Sequence, residues 1–188
     1  ANTTGIQNTA LGSESLDANT TGDDNVGIGF RALTKNTTAD FNIAVGGGAM
    51  HENQTGTNNV AIGRAALYHN QNGDNAAVGS LALFQNTTGI KNTAVGRSAL
   101  EANTTGANNV AIGYGALDAN TTASDNTAVG ENALSANTTG IDNVALGVSA
   151  LANNSTASNN TALGRKALLS NTTGTSNTAV GAIALDAN

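Results

Sequence analysis

Asn8-Thr9-Ala10-Leu11-Gly12 is followed seventeen residues later by Asn25-Val26-Gly27-Ile28-Gly29, and the same phrase returns to the end of the chain. Its opening asparagine stands at Asn8, Asn25, Asn42, Asn59, Asn75, Asn92, Asn109, Asn126, Asn143, Asn160 and Asn177. That makes eleven copies, with nine intervals of 17 residues and one of 16. A period this short and regular means one small supersecondary unit stacked on itself. Counted from that asparagine, the unit reads Asn, Thr/Val, Ala, Val/Ile/Leu, Gly, x, x, Ala, Leu, x, x, Asn, Thr, Thr, Gly/Ala, x, x. Position 4 is aliphatic in every copy, and position 9 is Leu in ten copies and Met50 in the other. Positions 2 and 4 share one face of a strand by its two-residue period. The spacing therefore predicts a short strand at positions 2–4 and a second near 7–10. It also predicts a core one side chain thick, filled by Leu, Val and Ile. Two helices of ordinary length do not fit 17 residues with a glycine at position 5 and a small residue at 15. The expected fold is all-β: a parallel β-solenoid, or β-roll, of about eleven 17-residue coils over residues 1–188. At about 4.8 Å per coil it spans about 50 Å. Ala1-Asn2-Thr3-Thr4-Gly5 and Ala187-Asn188 would join head to tail within the repeat, so the array is expected to be a segment of a longer protein.

Bulk properties narrow the function. The 188 residues are 11% charged and 3% aromatic, without Pro or Cys. Seven basic against thirteen acidic residues give a net charge of −6, so no basic stripe exists to displace counterions and nucleic acid is not an expected partner. No run approaches the roughly 18 apolar residues of a membrane helix, so no membrane insertion is expected in this segment.

Two columns of asparagine are expected to be structural. The first is the opening residue of each unit. The second is position 12, at Asn19, Asn36, Asn53, Asn70, Asn86, Asn103, Asn120, Asn137, Asn154, Asn171 and Asn188. In stacked coils identical residues lie above one another, and an amide that donates and accepts can bond along the stack. The position-5 glycine implies a corner with positive φ or close backbone approach. The copy beginning at Asn59 loses one residue in Asn70-Gln71-Asn72-Gly73-Asp74, which places that corner on the surface. Position 3 is alanine at Ala10, Ala44, Ala61, Ala77, Ala94, Ala111, Ala128, Ala145, Ala162 and Ala179, with Gly27 in the remaining copy. Facing away from positions 2 and 4, this row reads as a flat oligomer interface; the alternative is a crowded bend inside the coil. Position 8 is alanine in ten copies, with Ser15 as the exception.

Positions 6, 7, 10 and 11 vary freely, and no functional group recurs along them. His51 and His69 stand in different columns without a repeated carboxylate partner. No Ser/His/Asp grouping, calcium-binding nonapeptide or phosphate loop is discernible. No catalytic, cofactor-binding or metal-ligating residues are expected, and the chain is not expected to be an enzyme. Asn-Thr-Thr is a formal glycosylation acceptor at Asn19, Asn36, Asn86, Asn103, Asn120, Asn137 and Asn171, but it recurs because the corner recurs.

Asn109-Val110-Ala111-Ile112-Gly113-Tyr114-Gly115-Ala116 resembles the head repeats of trimeric autotransporter adhesins (YadA-like heads). It is also similar to the Asn-Thr-Ala-Val-Gly repeats of phage tail-fibre-like proteins. The likeness covers essentially all 188 residues, and about half of each unit matches closely; the Asn-Thr-Thr-Gly half is a departure. The resemblance implies a left-handed coil filled by the position-4 column, three chains side by side, and exposure outside the cell. The expected function is a structural module of an extracellular adhesin or fibre at the cell surface. Its expected partners are copies of itself, as a trimer or filament, and a host-surface or matrix ligand. Two alternatives stand beside it: the subunit of an end-to-end filament, and an ice-binding solenoid. Against ice binding, the adjacent threonines at positions 13 and 14 point to opposite faces.

Overall fold

A computed structural model of the chain describes residues 2–186. It is an all-β parallel solenoid. Eleven strands of three residues each, from Thr9–Leu11 to Thr178–Val180, follow one another in one sheet in chain order. Every pairing is parallel and in register, so position 2 meets position 2 and position 4 meets position 4, as in Val110↔Thr127 and Ile112↔Val129. The one-residue deletion leaves this intact: Val60 pairs with Ala76 and Ile62 with Val78.

The expected second strand at positions 7–10 is absent, for a backbone reason. Positions 7 and 9 are left-handed, as at Arg31 (φ 58°) and Leu33 (φ 52°), and position 17 is too, as at Asp24 (φ 55°). Left-handed backbone costs about 1–2 kcal/mol per ordinary residue, so most coils hold three unfavourable residues; two coils relieve position 7 with Gly48 and Gly115. Their N–H groups all turn along the solenoid axis. Arg31 N donates to Ser13 O at 3.0 Å and Asp24 N to Ile6 O at 3.1 Å, toward the preceding coil; Leu33 N donates to Ala49 O at 3.0 Å, toward the following one. The coil is thus bent where its neighbours accept hydrogen bonds, and stacking offsets the strain. Within a coil, turns close from position 8 to 5 (Ala32 N to Gly29 O, 3.3 Å) and from 12 to 9 (Asn36 N to Leu33 O, 3.2 Å).

The interior is alanine, leucine and asparagine. Ala at positions 3 and 8 and Leu or Met at 9 are fully buried in nearly every coil. The expectation that Val and Ile of positions 2 and 4 fill the core is overturned, because the strand presents its other face inward. Ala44, Ala61, Ala77, Ala94, Ala111, Ala128, Ala145 and Ala162 are inaccessible and Ala179 is 3% exposed; only Ala10, in the first coil, is exposed. The alanine row is therefore not an oligomer interface but the floor of the coil, where the facing Leu leaves room for a methyl group and little more. The exceptions prove the fit. Ser15 Oγ donates to Gly27 O at 2.8 Å, and a Cβ on Gly27 would sit 2.6 Å from Ser15 Oγ. The copy that enlarges position 8 faces the copy that shrinks position 3.

The position-5 glycine needs both properties expected of it. Its φ lies between 124° and 143°. A Cβ on Gly113 would meet Gly130 O of the next coil at 2.5 Å.

Candidate functional site

The two asparagine columns run inside the solenoid. From Asn19 to Asn171 the position-12 amides are buried, and each Nδ2 donates to Oδ1 of the asparagine one coil earlier at 2.8–3.4 Å. Asn188 lies outside the described residues. In the position-1 column each backbone N–H donates to the preceding Oδ1, for example Asn109 N to Asn92 Oδ1 at 3.0 Å. The two columns meet on one acceptor: Asn25 Nδ2 and Asn36 Nδ2 both donate to Ala39 O, at 2.7 and 3.1 Å. Such networks hold a buried polar interior only when every member is satisfied. Both columns are structural by geometry, and the buried, doubly bonded Nδ2 of the Asn-Thr-Thr motif is closed to glycosylation in the folded chain. The deletion does not interrupt them, since Asn86 Nδ2 reaches Asn70 Oδ1 at 2.9 Å and Asn75 N reaches Asn59 Oδ1 at 3.0 Å. The position-13 threonines are committed as well: Thr104 Oγ1 donates to Thr121 O at 3.0 Å.

With the alanine row inside, positions 2 and 4 become the outer face of the sheet. Position 4 is 41% exposed at Ile62, 38% at Val95, 39% at Ile112 and 41% at Leu163. Position 2 adds Val26, Ile43, Val60, Ala76, Val110 and Val144, with threonine in the other five coils. Neither column contains a charge. The stripe is about 50 Å long and about 10 Å wide, so at about 500 Å² it reaches the size of the largest apolar patch on ordinary monomers. Its material is unusual in being uniform: eleven aliphatic side chains out of eleven at a solvent-facing position.

The stripe has differently charged borders. On the glycine side, positions 6 and 7 carry Arg31, Arg64, Arg97, Arg165 and Lys166 against Glu14 and Glu131, a balance of 5 − 2 = +3. On the asparagine side, positions 16 and 17 carry Asp23, Asp24, Asp40, Asp74, Asp125 and Asp142 against Lys91, a balance of 1 − 6 = −5. Five of the seven cations thus lie along one edge. No single column shows this asymmetry; it emerges only when columns are grouped by their side of the strand.

Ion pairs run along the axis between like positions of successive coils. Arg31 Nε lies 2.7 Å from Glu14 Oε2, and that hydrogen bond raises the Arg31 pKa. Lys35 Nζ lies 2.6 Å from Glu52 Oε2, and its hydrogen bond holds the Glu52 carboxyl below the ordinary range. Burial raises the Asp118 pKa, with Glu101 adding to the effect. Among the described residues no three His, Cys, Asp or Glu side chains are grouped to hold a metal ion, no cavity encloses a ligand, and no helix is long and apolar enough to cross a membrane. Comparison of the chain with protein-family models, with curated proteins and with solved structures returned no match.

Proposed function

We propose that this chain is a non-enzymatic structural module of an extracellular adhesin or fibre, built to give rigid reach and surface display. In this reading copies of the chain lie side by side and bury the aliphatic stripe between them. The observation that supports it is an aliphatic residue at position 4 of every coil, none of them buried: the fold itself does not require Val, Ile or Leu there, since those side chains stand outside the core. Covering the remaining surface of each one contributes roughly 0.5–1 kcal/mol by apolar area, and eleven coils repeat the gain.

The charged borders favour one arrangement. In a symmetric pair with opposed axes, like edges would meet, cation against cation. Around an axis parallel to the solenoid, the basic edge of each copy faces the acidic edge of the next. Side-by-side copies therefore run in the same direction. Three such chains would enclose their stripes about a common axis, in keeping with the trimer expected from the resemblance.

Light scattering across a concentration series tests the reading. The expected result is a fixed mass of three chains, falling to one chain when Ile62, Val95 and Ile112 are changed together to lysine. A wild-type monomer would overturn it. Mass growing without limit would replace it with end-to-end stacking of coils.

A further inference from the structure

Columns 10 and 11 hold Asp, Thr, Glu, Ser, Ala, Leu and Asn in most coils, so the fold demands no particular side chain there. Three consecutive coils depart from this. Column 10 carries His51, Tyr68 and Phe84, and column 11 carries His69. The chain has only five aromatic residues and two histidines, yet these four rings touch. His51 stacks on Tyr68 with centroids 5.0 Å apart and planes inclined by 26°. Tyr68 and Phe84 are 5.4 Å apart, and His69 stands edge-on to both at 4.8 and 5.2 Å. All four are half-buried, outside the alanine–leucine core. Their patch adjoins the only shortened coil, whose deletion follows directly after His69 and Asn70.

Hydrogen-bonding groups lie among the rings. Glu52 takes Lys35 Nζ on one oxygen and faces His51 Nε2 at 3.5 Å with the other. The Gln71 side-chain amide donates to the Glu52 carbonyl. His51 Nδ1 is the buried side-chain polar atom without a partner among the described residues.

We propose that this patch is a platform for a neutral saccharide, with an extended glycan lying along the solenoid axis. Apolar C–H groups of a pyranose pack against aromatic surface, while its hydroxyls need donors and acceptors beside that surface. Rings interleaved with a carboxylate, an ammonium, an amide and imidazoles supply both. The local charges of Lys35 and Glu52 offset each other, which suits a neutral ligand better than a cationic peptide. Successive coils rise by about 4.8 Å, comparable with the advance of one sugar in an extended chain, so neighbouring sugars can meet neighbouring rings. The open surface, with no enclosing cavity, fits a polymer laid across it. The platform uses columns 10 and 11 and the assembly stripe columns 2 and 4, so either can fail without the other.

Saturation-transfer NMR with cellohexaose, chitohexaose and mannohexaose tests this on the full chain. The expected result is binding of at least one hexaose, with transfer to sugar C–H protons. The triple variant Tyr68→Thr, His69→Ala, Phe84→Ser introduces residues that the same columns already carry at Thr34, Ala102 and Ser135. It is expected to keep its melting temperature and lose about tenfold or more in affinity, and Phe84→Ser alone is expected to weaken binding in the folded chain. Changing Phe30 and Tyr114, in column 6, is expected to leave binding unchanged. Absence of binding by all three sugars at about 10 mM would overturn the proposal, as would equal binding by the triple variant. Binding of an oligoarginine peptide with the same residue dependence, and of no sugar, would overturn it in favour of a basic protein partner.

Discussion

Two aliphatic columns run the length of this solenoid. Position 9 is leucine or methionine in every coil and fully buried from Leu33 to Leu168; position 4 is valine, isoleucine or leucine in every coil and nowhere buried, being about 40% exposed at Ile62, Val95, Ile112 and Leu163. Their chemistry and regularity are the same, and their environments are opposite. Uniformity in a repeat therefore reports that a column is constrained, not that it is inside. Position 9 is constrained by the fold. We attribute the constraint on position 4 to a neighbouring copy.

Perturbing the two columns separately should separate these causes. Leu100→Ala leaves a cavity between coils that cannot collapse, and is expected to cost about 3 kcal/mol in denaturant unfolding. Ile112→Ala, one coil on and facing out, should cost less than about 1 kcal/mol in the dissociated chain. Equal costs would break the comparison. Next in size is the polar interior. Asn103→Leu keeps the branching and heavy-atom count but removes the acceptor for Asn120 Nδ2 and a donor to Gly106 O, and should cost about 2 kcal/mol or more. A third test concerns the floor of the coil. Gly27→Ala alone should destabilise, because the new methyl group meets Ser15 Oγ. The double change with Ser15→Ala restores the pattern of the other coils, with a coupling of about 1–2 kcal/mol in a double-mutant cycle.

The smallest expected effect is electrostatic. Asp118 has its pKa raised in the folded chain, mainly by burial, so its ionised form is penalised. Wild type should therefore gain stability as pH falls from that raised value toward the ordinary carboxylate range. Asp118→Asn should be slightly more stable at neutral pH, by up to about 0.5 kcal/mol, with the difference shrinking on acidification. A thermal melt of both proteins at two pH values checks the sign.

Period, coil length, strand position and both asparagine ladders were legible from the sequence, because each follows from identical residues stacked in register. The inside and outside of the strand were not. A two-residue period assigns positions 2 and 4 to one face without saying which face is buried, and hydropathy favoured Val and Ile over Ala. What decides it is the width of the coil. Left-handed residues at positions 7 and 9 fold the chain back so tightly that only Ala fits opposite Leu. Nothing in an ordinary leucine announces left-handed backbone, so the absent second strand was equally illegible. A local clue was present in Ser15 and Gly27, whose opposite size changes are intelligible only if columns 3 and 8 face each other. The ring patch was hidden for a different reason: only Tyr68 and His69 are sequence neighbours, while the contacts with His51 and Phe84 span 15 to 17 residues and arise through stacking.

Assembly through the stripe requires that position 4 of one copy meet position 4 of another. The chain has no cysteine, so Ile112→Cys provides a single thiol on the stripe and Thr122→Cys a matched one on an exposed column elsewhere. Under mild oxidation Ile112→Cys should form a disulfide between copies within the assembled particle, while Thr122→Cys stays reduced. Absence of any disulfide between copies at residue 112, in a sample whose mass shows it to be assembled, would place the interface elsewhere and contradict the central claim; in a trimer one thiol in three stays free for want of a partner.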